Sequence, residues 1–212
     1  MEQVSATRSE LLARRARIGL ATQGRDLLTE RRNALVHEFR RLGASALESI
    51  DLLDRDAAEA SRQLGLSIAA DGHQFVASAA LAAAGEVEVN VTTRRVAGVP
   101  IVGVQSTSIV RACNARGYSL TATSAHIDEV AKRFERVLDK LLEVAALELS
   151  IRRLAEEIAR TTRRMNALEH VVLPALEAEQ AHIALVLDER EMEDRVRLRR
   201  ARSSRSNAGG WA

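Results

Sequence analysis

The sequence predicts a mainly α-helical protein: a long antiparallel two-helix coiled coil formed by the N- and C-terminal arms, with a small helix plus β-hairpin region in the middle. Three observations predict it. Apolar residues recur at steps of three, four or seven near both chain ends, over stretches far longer than an ordinary globular helix. Only five of the 212 residues are aromatic (Phe39, Phe75, Tyr118, Phe134 and Trp211), too few for a thick compact core. Ala, Leu, Arg and Glu fill the remainder, which is the composition of long helices and coiled coils.

The N-terminal arm covers residues 1–65. Thr7 and Glu10 are spaced as a capping box, in which hydroxyl and carboxylate each satisfy a backbone N–H. The seam then reads Leu11, Ile18, Ala21, Leu28, Leu35, Phe39, Leu42, Ala46, Ile50, Leu53, Ala57, Ala60 and Leu64. Gly19, Gly24 and Gly43 lie inside it, each costing about 1 kcal/mol relative to alanine, so packing against a partner helix must compensate. Gly65 is the first expected break.

Residues 66–123 change character. Ile68 to Ala84 predicts a short alanine-rich helix. Val87, Val89 and Val91 alternate with Glu88, Asn90 and Thr92, the period of a strand. Gly98-Val-Pro100 marks a turn, and Ile101-Val-Gly-Val104 can return as a second strand. The stretch from Ser106 to Tyr118 has no clear period.

The C-terminal arm covers residues 124–202, capped by Ser124 with Asp128 and Glu129 near its positive end. Its seam is Ile127, Val130, Phe134, Val137, Leu141, Val144, Leu147, Ile151, Leu154, Ile158, Thr161, Met165, Leu168, Val172, Leu176, Ile183 and Leu187. Two threes follow each other at Val144–Leu147 and two fours at Val172–Leu176, irregularities that locally change the winding of a supercoil. Pro174 lies in the second. It removes a backbone hydrogen bond, so a helix bend is expected there. Residues 203–212 have the composition of a disordered tail.

Arms of similar length should bury each other's stripes. About 58 residues per arm at 1.5 Å rise gives a rod on the order of 90 Å; a compact bundle folded back at the glycines is the alternative. Cysteine pairs around Leu35/Leu168 express the expected register.

Composition excludes several classes of chemistry. Cys113 is the single cysteine, so no internal disulfide forms and a cytosolic compartment fits. No signal-peptide pattern and no run of about 18 apolar residues occurs, so a soluble chain is expected. There is no G-x-x-x-x-G-K-[ST] phosphate loop and no G-x-S-x-G elbow. His37, His73, His126, His170 and His182 stand without partners at metal-ligand spacing. Glu156-Glu157 and the Glu189/Glu191 cluster fit solvated helix faces with arginine partners. No catalytic residue, cofactor site or metal site is expected.

Net charge is only +2, yet it is unevenly distributed. Residues 1–45 hold nine arginines against five acids, and residues 195–212 hold six arginines and no acid. An antiparallel pair would bring both basic segments to one tip. A solvated helix end, a nucleic-acid site and a surface for a protein collar all fit a basic tip. Among the arginines from Arg195 to Arg205 no aromatic is interleaved to stack on bases, which counts against nucleic acid.

The stretch Thr162-Arg-Arg-Met-Asn-Ala-Leu-Glu-His-Val-Val-Leu-Pro174, followed by Leu187-Asp-Glu-Arg-Glu191, resembles the C-terminal helix of the D subunit of the V/A-type rotary ATPases. Val4-Ser-Ala-Thr-Arg8 is similar to that family's opening, with Ala6 where proline is usual. Ala21 through Leu35 resembles its Gly-x-x-Leu-Leu-Lys-x-Lys-Arg-Asp-x-Leu segment, with Thr29 and Arg31 replacing lysines and Asn33 the aspartate. Gly98-Val99-Pro100 loosely resembles its hairpin. Met192-Glu-Asp-Arg-Val-Arg-Leu-Arg199 stands where the family has paired phenylalanines and an Arg-Leu-Lys run.

The resemblance implies a noncatalytic central rotor shaft between a catalytic ring of A and B subunits and a membrane ion-translocating rotor ring. It implies the F and C subunits (the latter called d in eukaryotes) as further partners, and a cytoplasmic location with membrane contact only through the complex. On this reading Arg8, Arg14, Arg15, Arg195, Arg199 and Arg200 face the A/B ring at the shaft tip. Val87, Val89, Val91, Val99, Ile101 and Val102 face the F subunit and the lower rotor. The other possibilities are a γ-like shaft of an F-type enzyme, a stand-alone coiled-coil scaffold, and an arginine-rich nucleic-acid binder.

Overall fold

The computed structural model describes residues 7–106, 109–119 and 123–208, with the backbone alone for 105–106 and 203–208. Val4–Ala6 of the family-like opening, part of the segment from Ser106 to Tyr118, and Trp211 of the tail lie outside the described residues. In order come α1 (Arg8–Asp71), α2 (His73–Ala82), β1 (Val89–Val96), β2 (Val99–Ser106), a 3-10 turn (Cys113–Ala115), α3 (Ala125–Ala167), a π-helical turn (Leu168–Val172) and α4 (Leu173–Ala208). The chain divides into two compact units, residues 33–159 and residues 1–32 with 160–212.

In the unit of chain ends, the start of α1 runs antiparallel to the end of α3 and to α4. Arg8 meets Glu191, Gly24 faces Leu168, and the Thr29 hydroxyl lies 3.4 Å from the Met165 sulfur. Residue numbers thus rise along one helix as they fall along the other. The Thr7 hydroxyl accepts the Glu10 N–H at 3.2 Å, as the capping pattern predicts, while the Glu10 carboxylate engages Arg14. Among the described residues, the buried side chains of this unit are Thr161, Met165, Leu173 and Ile183.

The second irregularity of the C-terminal seam is a π-helical turn. The Leu173 N–H donates to the Leu168 carbonyl, five residues back rather than four. Pro174 follows immediately and has no N–H with which to continue an α-helical ladder. The turn takes in one surplus residue and moves the buried position by one: Leu173 is buried, while Val172, expected in the seam, is 38% exposed. The disturbance foreseen at Pro174 is therefore a change of hydrogen-bond pattern just before it. Toward the C-terminus, α4 reaches Ala208, beyond the Arg202 boundary expected from composition.

In the central unit, the rest of α1 runs antiparallel to α3. Arg133 pairs with Glu59, Lys140 with Asp56, and Leu35 packs with Leu154. The expected alignment of Leu35 with Leu168 is wrong by about three helical turns, since it is Gly24 that faces Leu168. Ser124, just before α3, donates to Asp71 at the end of α1 at 2.6 Å. Counting back 36 residues from that junction at equal rise per residue brings Leu35 level with about residue 160, next to Ile158 of the same cluster and not Leu168.

Gly65 does not break α1. The helix continues to Asp71 and stops at Gly72, whose φ of 88° lies in the region that favours glycine. Ser67, fully buried inside this extra turn, donates to Asp71 at 3.2 Å.

The hairpin is longer than its valine alternation implied. Its two-residue loop is Ala97-Gly98, both at positive φ (47° and 87°), the requirement of a mirror-image turn that matches strand twist. Val96 pairs with Val99 and Val89 with Ser106. Pro100, expected in the turn, lies inside β2 opposite Arg95. In this register the backbone groups of residues 100 and 102 point away from β1, so the missing proline N–H removes no rung of the ladder.

Candidate partner-binding surfaces

The hairpin does not stand free of the helices. Val99 and Ile101 are buried in one cluster with Leu35, Leu42 and Leu154, flanked by Phe39, Val96, Leu147, Ile151 and Ile158. A two-stranded hairpin is marginal in water, and here the helical pair supplies the missing face. Two polar devices fix it. Ser150 of α3 accepts the Val102 N–H at 2.9 Å and donates to the Val102 carbonyl at 3.2 Å, satisfying the outer edge of β2. Glu38 of α1, buried among apolar neighbours, receives Arg94 of β1 at 2.7 Å and Arg41 at 2.7 Å. Hydrogen bonding from Arg41, seconded by Arg94, holds the Glu38 carboxyl below its ordinary range against the opposing effect of burial.

This placement divides the six expected partner residues of the middle region. Val99 and Ile101 face their own core and are withdrawn from any partner surface. Val102 is half-buried, with its backbone held by Ser150. Val91 (63% exposed) and Val87 (42% exposed) remain at the surface, with Val89 half-buried between them in sequence.

Residues 109–119 form a strap over α2 and α3, fastened by charge. The Arg116 guanidinium, 2% exposed, grips Glu135 with Nε at 3.2 Å and Nη2 at 2.9 Å, and reaches the Asp128 carboxylate through Nη1. Arg111 adds its backbone N–H and Nε to Glu135 at 3.0 and 3.1 Å, and its Nη2 to the Ala83 carbonyl at 2.8 Å. Tyr118 and Cys113 both donate to Asp128. Gly117 has φ 83°, and a Cβ there would come within 2.5 Å of the Ala82 carbonyl oxygen; only glycine fits so close to the end of α2.

The electrostatics follow from these contacts. The Cys113 thiol, with Tyr118 and Arg116, holds the Asp128 carboxyl down. Burial alone would raise Glu135, but bonds from Arg116 and Arg111 outweigh it and lower it. Burial together with Asp128 raises the Tyr118 phenol, and the bond to Asp128 raises the Cys113 thiol, so that thiol is not activated as a nucleophile.

The six expected tip arginines also divide. Arg14 is only 12% exposed at its side chain; its Nε lies 3.0 Å from Glu179, and Nη2 3.2 Å from Glu10. It belongs to the helix pair and is withdrawn from the partner surface. Arg8 is bound to Glu191 at 2.5 Å, and Arg195 lies 3.6 Å from the same carboxylate. Arg15, Arg199 and Arg200 are exposed.

Among the described residues, no group of His, Cys, Asp and Glu could hold a metal ion, and no helix is long and apolar enough to cross a membrane.

The model of the ATP synthase D-subunit family matches residues 10–203. The chain is 42% identical over 205 residues to the D subunit of a V-type ATP synthase of Anaeromyxobacter sp. (strain Fw109-5), covering 97% of this chain and 95% of that one. It is 40% identical over 200 residues to the D subunit of the V-type ATP synthase of Thermus thermophilus, covering 94% and 88%. Identity to the D subunit of the A-type ATP synthase of Archaeoglobus fulgidus is 35% over 209 residues, covering 98% and 100%. With long helices at both ends and an antiparallel hairpin between them, the chain belongs to the D-subunit family of the V/A-type ATP synthases.

Proposed function

We propose that the chain is the noncatalytic central shaft of a V/A-type ATP synthase, carrying torque between the catalytic A/B ring and the membrane rotor ring. The observation that carries this reading is the antiparallel pairing of two long helices within each unit, in a chain matched along residues 10–203 by the D-subunit family. Such a pair suits torsion because its backbone hydrogen bonds are internal and its stiffness comes from a packed seam. ATP chemistry belongs on this reading to the ring, and ion translocation to the membrane rotor.

Arg15, Arg195, Arg199 and Arg200, with Arg8 at the margin, face acidic or carbonyl groups of the A/B ring. Val87, Val89 and Val91, with the exposed side of Val102, contribute to the surface for the F and C subunits. The complex works on the cytoplasmic side of the membrane, which the chain contacts through its partner proteins. Nucleic acid is not a partner.

The test compares complexes reconstituted with and without this chain. With it, A, B, F and C subunits co-purify and ATP hydrolysis drives ion pumping. Without it, hydrolysis by the ring should continue with pumping lost. Undiminished pumping per ATP in a complex lacking the chain would refute the shaft role.

A further inference from the structure

Helix α2 lies beside α3 with short side chains between them, and the strap closes over the gap. Val76 and Ala79 of α2 form one wall of a cavity of about 370 Å³, Ile127 and Phe134 of α3 form another, and Tyr118 of the strap borders it. Its lining is apolar except for Arg111, Glu135 and the Tyr118 hydroxyl, which is turned to Asp128 at 2.9 Å. The walls are held in place by the fold: Ala79 and Ile127 are buried, and Arg116 and Arg111 fasten the strap to Glu135. A preformed, largely apolar cavity with a few polar groups, set between helices, is the usual form of a small-molecule site.

Arg111 supplies the directional group. Among the described residues its backbone N–H and Nε bond Glu135, and its Nη2 bonds the Ala83 carbonyl. Its Nη1 instead lies against Gly85, where an added Cβ would come within 3.1 Å of it. Gly85 lines a second cavity that shares Ala83, Arg111, Glu135 and Leu138 with the first, so this nitrogen stands where the two cavities meet.

We infer that the apolar cavity binds an uncharged two-ring aromatic molecule whose single oxygen accepts a hydrogen bond from Nη1 of Arg111. Size selects the two rings: an engineered apolar cavity of about 150 Å³ holds benzene, and this one is more than twice as large. Charge selects a neutral molecule. A carboxylate would be desolvated beside Glu135 and close to Glu86 and Glu88, which are exposed on the adjoining cavity, and an ammonium would meet Arg111. A neutral oxygen escapes both penalties and still gains a charge-assisted bond.

The test titrates the purified full chain at neutral pH with 2-naphthol, naphthalene, 2-naphthoate and 2-naphthylmethylammonium, followed by saturation-transfer NMR of the probe. The four share one ring system and differ in the oxygen and the charge. 2-Naphthol should bind about fivefold tighter than naphthalene, the worth of one hydrogen bond, and at least about tenfold tighter than either ion. Ala79→Leu fills the cavity and should weaken 2-naphthol by about tenfold or more. Gly85→Ala crowds Nη1 and should bring 2-naphthol down to the level of naphthalene, with naphthalene itself unchanged. Because binding stabilises what it touches, 2-naphthol should slow amide exchange in α2 and residues 109–119 of the unaltered chain and leave residues 8–32 as they were.

Absence of saturable 2-naphthol binding, or equal binding of the charged probes, would overturn the inference. So would full affinity in an Ala79→Leu chain that keeps its helical circular dichroism, or exchange that slows outside α2 and the strap. Every readout uses the chain alone, so the result is scored apart from the shaft reading.

Discussion

The two units contain the same pairing of long antiparallel helices, yet they bury side chains in different ways. In residues 33–159, Leu35, Leu42 and Leu154 disappear beneath a hairpin, and Arg116, Glu135, Glu38 and Ser150 are buried as bonded polar groups. In residues 1–32 with 160–212, burial among the described residues is confined to a few seam positions, and Leu12, Leu20, Leu27, Leu185 and Met192 are 59–71% exposed. Two helices alone can shield one narrow stripe on each. A third layer turns that stripe into a core, and its backbone and charged groups then need internal partners. The central unit should accordingly be sensitive to polar deletions, and the terminal unit tolerant of them.

The strap offers the largest contrast. Arg116→Ala leaves Glu135 and Asp128 without their buried partner, and breaking such a pair costs about 3–5 kcal/mol. Amide exchange should accelerate in residues 109–119 and α2 while residues 8–32 keep their protection. A joint Arg116→Met/Glu135→Leu replacement should recover much of the loss, because no lone charge is then buried. Equal destabilisation by the single and joint changes would show that shape, not charge, fastens the strap.

Next comes the apolar core. Leu35→Ala should cost about 2–5 kcal/mol, the range for a fully buried leucine. Leu28→Ala, one heptad earlier and half-buried in the terminal unit, should cost clearly less. Urea midpoints of the two variants measure the difference; equal shifts would mean that the hairpin adds no energetic weight to the seam.

Acid should separate the units as well. Glu38, Asp128 and Glu135 in the central unit have folded-state values below their ordinary carboxylate values; in the terminal unit Glu191 is lowered by its bond from Arg8, but that pair is exposed and solvent screens its contribution. The contribution of the central three is fully present above the ordinary carboxylate range and is lost as pH falls through the lowered folded values. Hairpin and strap protection should therefore fade below about pH 4, which amide exchange at a series of acid pH values reads directly. A Glu38→Gln variant should flatten the hairpin's part of that profile.

Legibility in the sequence followed the same division. Both long helices were readable from their stripes, because a two-helix seam writes its period directly into the residues. The hairpin's docking was not, since Val99 and Ile101 look alike whether they face a partner or the chain's own helices. One signal was present: Glu38 and Ser150 occupy seam-like positions between Leu35 and Leu42 and between Leu147 and Leu154. A polar residue there implies something polar packed against it, and that something is Arg94 and the edge of β2. Arg116 carried no such signal, because its partners Asp128 and Glu135 lie on another element and local spacing does not encode the contact. The tip arginines failed differently: a charge tally could not tell Arg14, packed against Glu179, from Arg199 in solvent.

The smallest effect is expected at Pro174, where the cause of the π-helical turn is at issue. Either the missing N–H of Pro174 forces the surplus residue, or downstream packing selects it. Pro174→Ala restores a donor worth about 1 kcal/mol net. Returning to a regular α-helix would remove the surplus residue and rotate α4 by about 100°. That rotation would carry Ile183, 1% exposed, out of the seam, at a cost of about 1.5–3 kcal/mol. Packing outweighs the recovered bond, so the turn should persist and stability should change by less than about 1 kcal/mol. The register can be read in a Cys113→Ser background with Arg14→Cys and Glu179→Cys joined by a short bismaleimide. Unchanged crosslinking in the Pro174→Ala chain is the expected result. If the yield instead moves to position 178 or 180, the proline itself sets the register, and the terminal coil is too weakly packed to hold it.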